Sequence, residues 1–218
     1  MAGGAMNKAL ISLVLPLIAL LAACNMGPGG NASSGEGSVQ GDLHGASIGA
    51  PFTLTDQDGK KVRWEDFKGK YRLVYFGYTY CPDVCPVDLQ RIAQGFAKFE
   101  KDKPALAAKV QPIFISVDPE RDTPAVLKTY VAAFHPRLIG LTGTPDEIAK
   151  VAKDFVVLYN KEKAEGASGY LVSHSRTPYL FDADGAPVAL VPVDDPGTPD
   201  ADEGDPAKVT AFLEKWVK

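Results

Sequence analysis

The sequence predicts an α/β fold in which a partly parallel sheet is covered by helices. Three observations carry this expectation. Two strongly apolar runs, Tyr71–Gly77 and Val110–Val117, read as buried strands. Stretches between and after them carry apolar residues three and four apart, the spacing of a helix face. Strands then alternate with helices along the chain, the order that parallel strands joined by crossovers require.

The elements follow in order. Phe52–Thr55 and Lys61–Trp64 flank the turn Asp56–Gly59 and predict a β-hairpin. Tyr71–Gly77 is the first buried strand. Val87–Glu100 puts Leu89, Ile92, Ala93, Phe96 and Phe99 on one helix face. Val110–Val117 is the second buried strand. Asp122–Pro124 marks a helix start, with Thr123 as cap and Pro124 in the first turn; that helix runs to Phe134. Leu138–Leu141 is a short strand, Thr144–Glu147 opens a helix that ends near Phe155, and Val156–Asn160 reads as strand. Thr177–Phe181 and Val188–Val193, joined by the turn Asp182–Gly185, predict a terminal hairpin. Asp194–Pro206 is acidic and reads as an exposed loop, and Pro206–Val217 closes the chain as an amphipathic helix. The sum is a thioredoxin-like sandwich with an N-terminal β-hairpin extension, over residues 48–218.

The 218 residues suit one domain with a segment appended. The net charge of −4 and the lack of a basic patch argue against nucleic acid as a partner. Three cysteines are too few for a disulfide-stapled fold.

Residues 1–23 read as a targeting signal. Lys8 precedes an apolar run, Ala9–Ala23, shorter than the roughly 20 residues of a comfortable membrane span. The run ends Leu21-Ala22-Ala23-Cys24, which resembles a bacterial lipobox and makes Cys24 the lipidated residue. Plain secretory cleavage after Ala23 and an uncleaved anchor are the alternatives. Residues 24–47, rich in Gly, Ser and Asn at first, read as a flexible membrane tether. The expected location is therefore the bacterial cell membrane, lipid-anchored and facing the periplasm, where thiols oxidise unless protected.

Cys81 and Cys85 are the most informative residues. They follow an aromatic-rich strand, and Pro86 opens a helix after them. Four residues of helix span about 6 Å along the axis, so both sulfurs lie on one face. They can share a soft metal ion or close a disulfide. The helix start favours a thiolate, which both chemistries need. A thioredoxin-type redox pair has two residues between its cysteines; here there are three, which directs attention to a third ligand. His174, in a polar loop feeding the terminal hairpin, is the best candidate. Two thiolates and an imidazole suit copper in either oxidation state. Structural zinc takes four protein ligands, and no fourth is evident; Asp83 reads as a helix-start residue. A structural disulfide stays open. His135 reads as structural at a helix end, and His44 in the entry segment is given no role. Tyr78 and Tyr80 read as packing around the site, and Asp118–Asp122 as a turn and helix cap.

Tyr75–Pro86, Ser116–Pro124 and the late His174 together resemble the Sco (SenC) copper-chaperone family, from about Ile48 to the C-terminus. The resemblance implies a thioredoxin fold and copper held by Cys81, Cys85 and His174. It also implies a metallochaperone, rather than an enzyme, that helps assemble the binuclear copper centre of cytochrome c oxidase. The expected partners are the oxidase's copper-bearing subunit, a copper donor protein and the membrane. Family members often carry Asp immediately before the histidine, where this chain has Ser173. The alternative activity is thiol–disulfide exchange, with Cys81 and Cys85 as the redox pair reducing extracytoplasmic cysteines.

Overall fold

The structure, a computed structural model, describes residues 41–163, 169–195 and 202–218. The signal segment, Cys24, residues 24–40 of the expected tether and the middle of the acidic loop lie outside the described residues. Strands are β1 (Thr53–Asp56), β2 (Lys61–Arg63), β3 (Tyr71–Gly77), β4 (Val110–Ser116), β5 (Ile139–Thr142), β6 (Tyr159–Lys163), β7 (Tyr170–His174), β8 (Tyr179–Phe181) and β9 (Pro187–Leu190). Helices are α1 (Val84–Asp102), α2 (Pro104–Ala107), α3 (Pro124–Ala132), α4 (Pro145–Asp154) and α5 (Pro206–Trp216).

Seven strands form one sheet in the order β2-β1-β5-β4-β3-β8-β9. The central neighbours β3, β4 and β5 are parallel, and the flanking pairs are antiparallel. The N-terminal hairpin joins this sheet at one edge through β1 against β5. The terminal hairpin forms the other edge. Every residue of β4, and all of β3 after Tyr71, is buried. A strand buried on both faces requires cover on both sides, as the alternation of elements predicts.

Local signals explain the helix starts. Thr123 Oγ1 accepts from Val126 N at 3.4 Å, and Pro124 fills the first turn. Thr144 and Glu147 form a reciprocal capping box. The end of α4 is less ordinary. Val156 N donates to Lys153 O and Val157 N to Ala152 O, which closes a Schellman turn. That turn sets φ at 57° on Val156, a position usually given to glycine.

The core gathers Phe52, Trp64, Phe76, Phe155 and Phe181 into one aromatic cluster with ring centroids 5.1–6.1 Å apart. Helix α1 packs on α5, and Gly95 permits the approach: a Cβ there would stand 2.6 Å from Val209 Cβ.

Three expectations change. Val156–Asn160 is not a strand of the main sheet; the strand begins at Tyr159 and, among the described residues, pairs with β7 alone in a separate two-stranded ribbon. His174 ends that ribbon's second strand rather than sitting in a loop. Of the expected tether, residues 41–47 are described, and there Leu43 N donates to Val188 O at 2.9 Å. His44, given no role, donates through its backbone N–H to Asp42 at 2.9 Å, and its ring lies 5.6 Å from that of Trp216.

Candidate metal centre

The centre is built where β3 ends. Beyond Gly77 the chain passes Tyr78, which is buried, and reaches Cys81 before α1 begins at Val84. Cys85 therefore stands in the first helical turn, where backbone N–H groups have no intrahelical partner. Its own N–H points at Cys81 Sγ, 3.4 Å away. Cys81 is partly exposed and Cys85 fully buried, and both are free thiols. Asp83 holds the N-cap position of α1 without a side-chain capping bond.

His174 arrives from the β6–β7 ribbon with Nε2 3.0 Å from Cys85 Sγ. Its Nδ1 lies 2.9 Å from the Ser175 carbonyl oxygen. A carbonyl only accepts, so Nδ1 carries the hydrogen and the Nε2 lone pair faces the sulfurs. One donor atom from each of Cys81, Cys85 and His174 lies within 4.8 Å of the others. Metal–sulfur bonds of about 2.3 Å bridge two sulfurs up to about 4.6 Å apart. Among the described residues no other group of three or more His, Cys, Asp or Glu converges in this way.

The two thiols differ in acidity. The Cys85 thiol, bonding to Cys81, holds the Cys81 thiol well below its ordinary value, and Cys81 together with burial pushes Cys85 up. Cys81 is then the thiolate of the pair. Metal ligands must be deprotonated, so a metal held here would find Cys81 already prepared and would have to displace the proton of Cys85.

The surroundings fix the frame. Asp122, fully buried, accepts from Thr79 N at 3.0 Å, Thr79 Oγ1 at 2.6 Å and Ser116 Oγ at 2.5 Å. It ties the loop before Cys81 to the end of β4, so the motif Asp118–Asp122 does more than cap a helix. Arg121 lies 3.8 Å from the Tyr170 ring and donates to the Tyr170 carbonyl, anchoring the start of β7. Tyr78 sets its ring edge-on to His174 at 5.9 Å, while Tyr80 is largely exposed. His135 Nε2 bonds to Glu100 at 2.8 Å, a structural role as expected.

Sequence reading missed Asp88 and Arg176. Asp88 is buried on α1 and takes a two-pronged bond from Arg176, with Nε at 3.0 Å and Nη2 at 2.7 Å. Tyr75 OH donates to it at 3.1 Å. A signal was present: Asp88 is a carboxylate inside the apolar stripe of Cys85, Leu89, Ile92 and Phe96. Ser173, by contrast, is exposed and donates to the Asn160 carbonyl at 3.4 Å. Alternation along β7 turns it away from the side that carries His174.

The family model described as SCO1/SenC matches residues 40–203. The chain belongs to this family. A mitochondrial SCO1 homologue of Arabidopsis thaliana is 48% identical over 136 residues, which is 62% of this chain and 40% of that protein. The chain spans about half the length of the curated relatives it matches, 53% for the bovine SCO2 homologue. Among Sco structures, Bradyrhizobium japonicum ScoI with copper bound is 42% identical, with a TM-score of 0.66 over 78% of this chain and 99% of that one. BsSco, described as having a disulfide switch and as a member of the Sco family of cytochrome c oxidase assembly proteins, is 26% identical, with a TM-score of 0.55 over 81% and 94%. The thioredoxin domain of a Bacteroides vulgatus thiol-disulfide oxidoreductase, 17% identical with a TM-score of 0.51, shares the fold alone. The Sco chain is thus thioredoxin-like, as its element order predicts.

Proposed function

We propose that this Sco chain is a lipid-anchored copper metallochaperone that holds one copper ion through Cys81, Cys85 and His174. In this reading it serves the assembly of cytochrome c oxidase by passing the ion, by ligand exchange, to the oxidase's copper-bearing subunit. The observation that carries the reading is the convergence of two sulfurs and a lone-pair-bearing Nε2 within 4.8 Å. Soft sulfur favours Cu(I), and the imidazole extends the site to Cu(II). Copper bound in the Bradyrhizobium relative supports the choice of metal. The lipobox-like Leu21–Cys24 supports the anchor on the periplasmic side.

The test is copper titration of the reduced protein beside its His174→Ala variant. Two thiolates satisfy the softer ion, so the variant keeps Cu(I). Its Cu(II) affinity falls by more than the roughly 10–100-fold that loss of a ligand's supporting partner costs. Unchanged Cu(II) affinity and spectrum remove His174 from the site. The thiolate character of Cys81 also suits attack on a disulfide. Copper binding indifferent to His174, with disulfide exchange intact, returns the pair to the redox reading.

A further inference from the structure

We infer that the pair of buried Asp88 and half-buried Arg176 is a positioning device that sets the reach of His174 to the two sulfurs, and with it the preference of the site between Cu(II) and Cu(I). The inference rests on the three-ligand reading above. His174 belongs to a ribbon, β6–β7, that among the described residues shares no ladder with the seven-stranded sheet. Backbone pairing therefore does not fix the imidazole relative to α1, which carries Cys85.

Asp88 follows Cys85 by three residues, one helical turn on the same face, about 4.5 Å along the axis. Arg176 follows His174 by two residues, and an extended chain spans about 3.3–3.6 Å per residue. The carboxylate and guanidinium join these two arms by parallel hydrogen bonds of 3.0 and 2.7 Å. A third bond, from Tyr75 OH on β3 at 3.1 Å, fixes the carboxylate against the sheet. The thiol, the helix turn, the fork and the imidazole thus close a small ring of fixed sides.

Attachment alone does not require an ion pair. Asp88 is 1% exposed, and a pair of well-packed apolar residues commonly holds such a contact as firmly or more firmly than a buried ion pair. A planar fork adds direction, because both bonds form in one orientation. Direction is what an imidazole needs when it must present one lone pair to a metal. Two thiolates suffice for Cu(I), whereas Cu(II) depends on the nitrogen, so loosening the fork falls unequally on the two oxidation states.

The experiment uses Arg176→Gln, at a side chain still 25% exposed. Arg176→Lys keeps the charge and loses the fork, and serves if the first variant does not fold. Cu(II) and Cu(I) affinities, thermal unfolding and the imidazole NMR spectrum of the metal-free protein are measured. Expected are a fall of about tenfold or more in Cu(II) affinity, a Cu(I) change within about twofold, and broadened His174 resonances. In a His174→Ala background the same substitution produces no further loss. Equal losses for both ions, the same loss without His174, or unaltered affinity and line shape overturn the inference. The wild-type titration and His174→Ala are read first: if they fail, the three-ligand reading fails, while the metal-free imidazole spectrum still tests the pair by itself.

Discussion

Gly95→Ala separates two effects of opposite sign. On helix propensity alone, alanine stabilises α1 by about 1 kcal/mol over glycine. The packing opposes this. A methyl on Gly95 would lie 2.6 Å from Val209 Cβ and 2.7 Å from both Val209 Cγ1 and the Pro206 carbonyl oxygen. Non-bonded carbons rest about 3.5–4.0 Å apart, so α1 and α5 must separate by roughly 1 Å. One contact is backbone and cannot rotate aside. Overpacking of this kind costs about 1–3 kcal/mol. Separation also weakens the bond from Thr210 Oγ1 to the Gly95 carbonyl, now 3.0 Å, which contributes about 1 kcal/mol. The net expectation is a loss of about 2 kcal/mol, or a Tm lowered by roughly 4–8 °C for a domain of this size. Thermal and urea unfolding of the metal-free protein measure it. A Tm equal to or above that of the wild type refutes the packing argument.

Two further outcomes are expected. Burial raises the Asp122 carboxyl above its ordinary value despite bonds from Ser116 and Thr79. The folded state then holds that proton more tightly than the unfolded chain, so Asp122's contribution is full below its unfolded value and is lost as pH rises through the raised folded value. The stability of the wild type relative to Asp122→Asn should therefore decline as pH is raised from about 3 and level off above the folded value; a difference that grows with pH in urea unfolding contradicts this. Ser173→Asp should leave Cu(II) affinity within about twofold, far from the 10–100-fold effect of a ligand's true partner. A tenfold gain in the copper titration would show that the new carboxylate reaches the imidazole and that the Ser175 carbonyl does not hold it alone.

Much of the fold is legible because its signals are local. The runs at β3 and β4 announce buried strands, and Thr-Pro pairs announce α3 and α4. The thiol pair is legible for the same reason, being set between a strand and a helix. What escapes is decided by distant partners. Strand β6 is Tyr-Asn-Lys-Glu-Lys, without apolar alternation, and becomes a strand only because β7 lies beside it. Val156 carries a glycine's conformation that no residue type betrays. The tie between Asp88 and Arg176 spans 88 positions, beyond the reach of any helical or strand period. His174 is singled out in the sequence by the nitrogen it would add to the two sulfurs, whereas its place on a ribbon is set by the fold.

The order in which the donors enter the chain has its own consequence. Cys81 and Cys85 are near neighbours, while His174 stands 89 positions after Cys85. A chain emerging N-terminus first presents sulfur alone, and nitrogen joins only once the last third has docked. On the proposed three-ligand site, complete coordination would therefore follow docking of the β6–β7 ribbon, and a molecule lacking that docking would offer the ion sulfur alone.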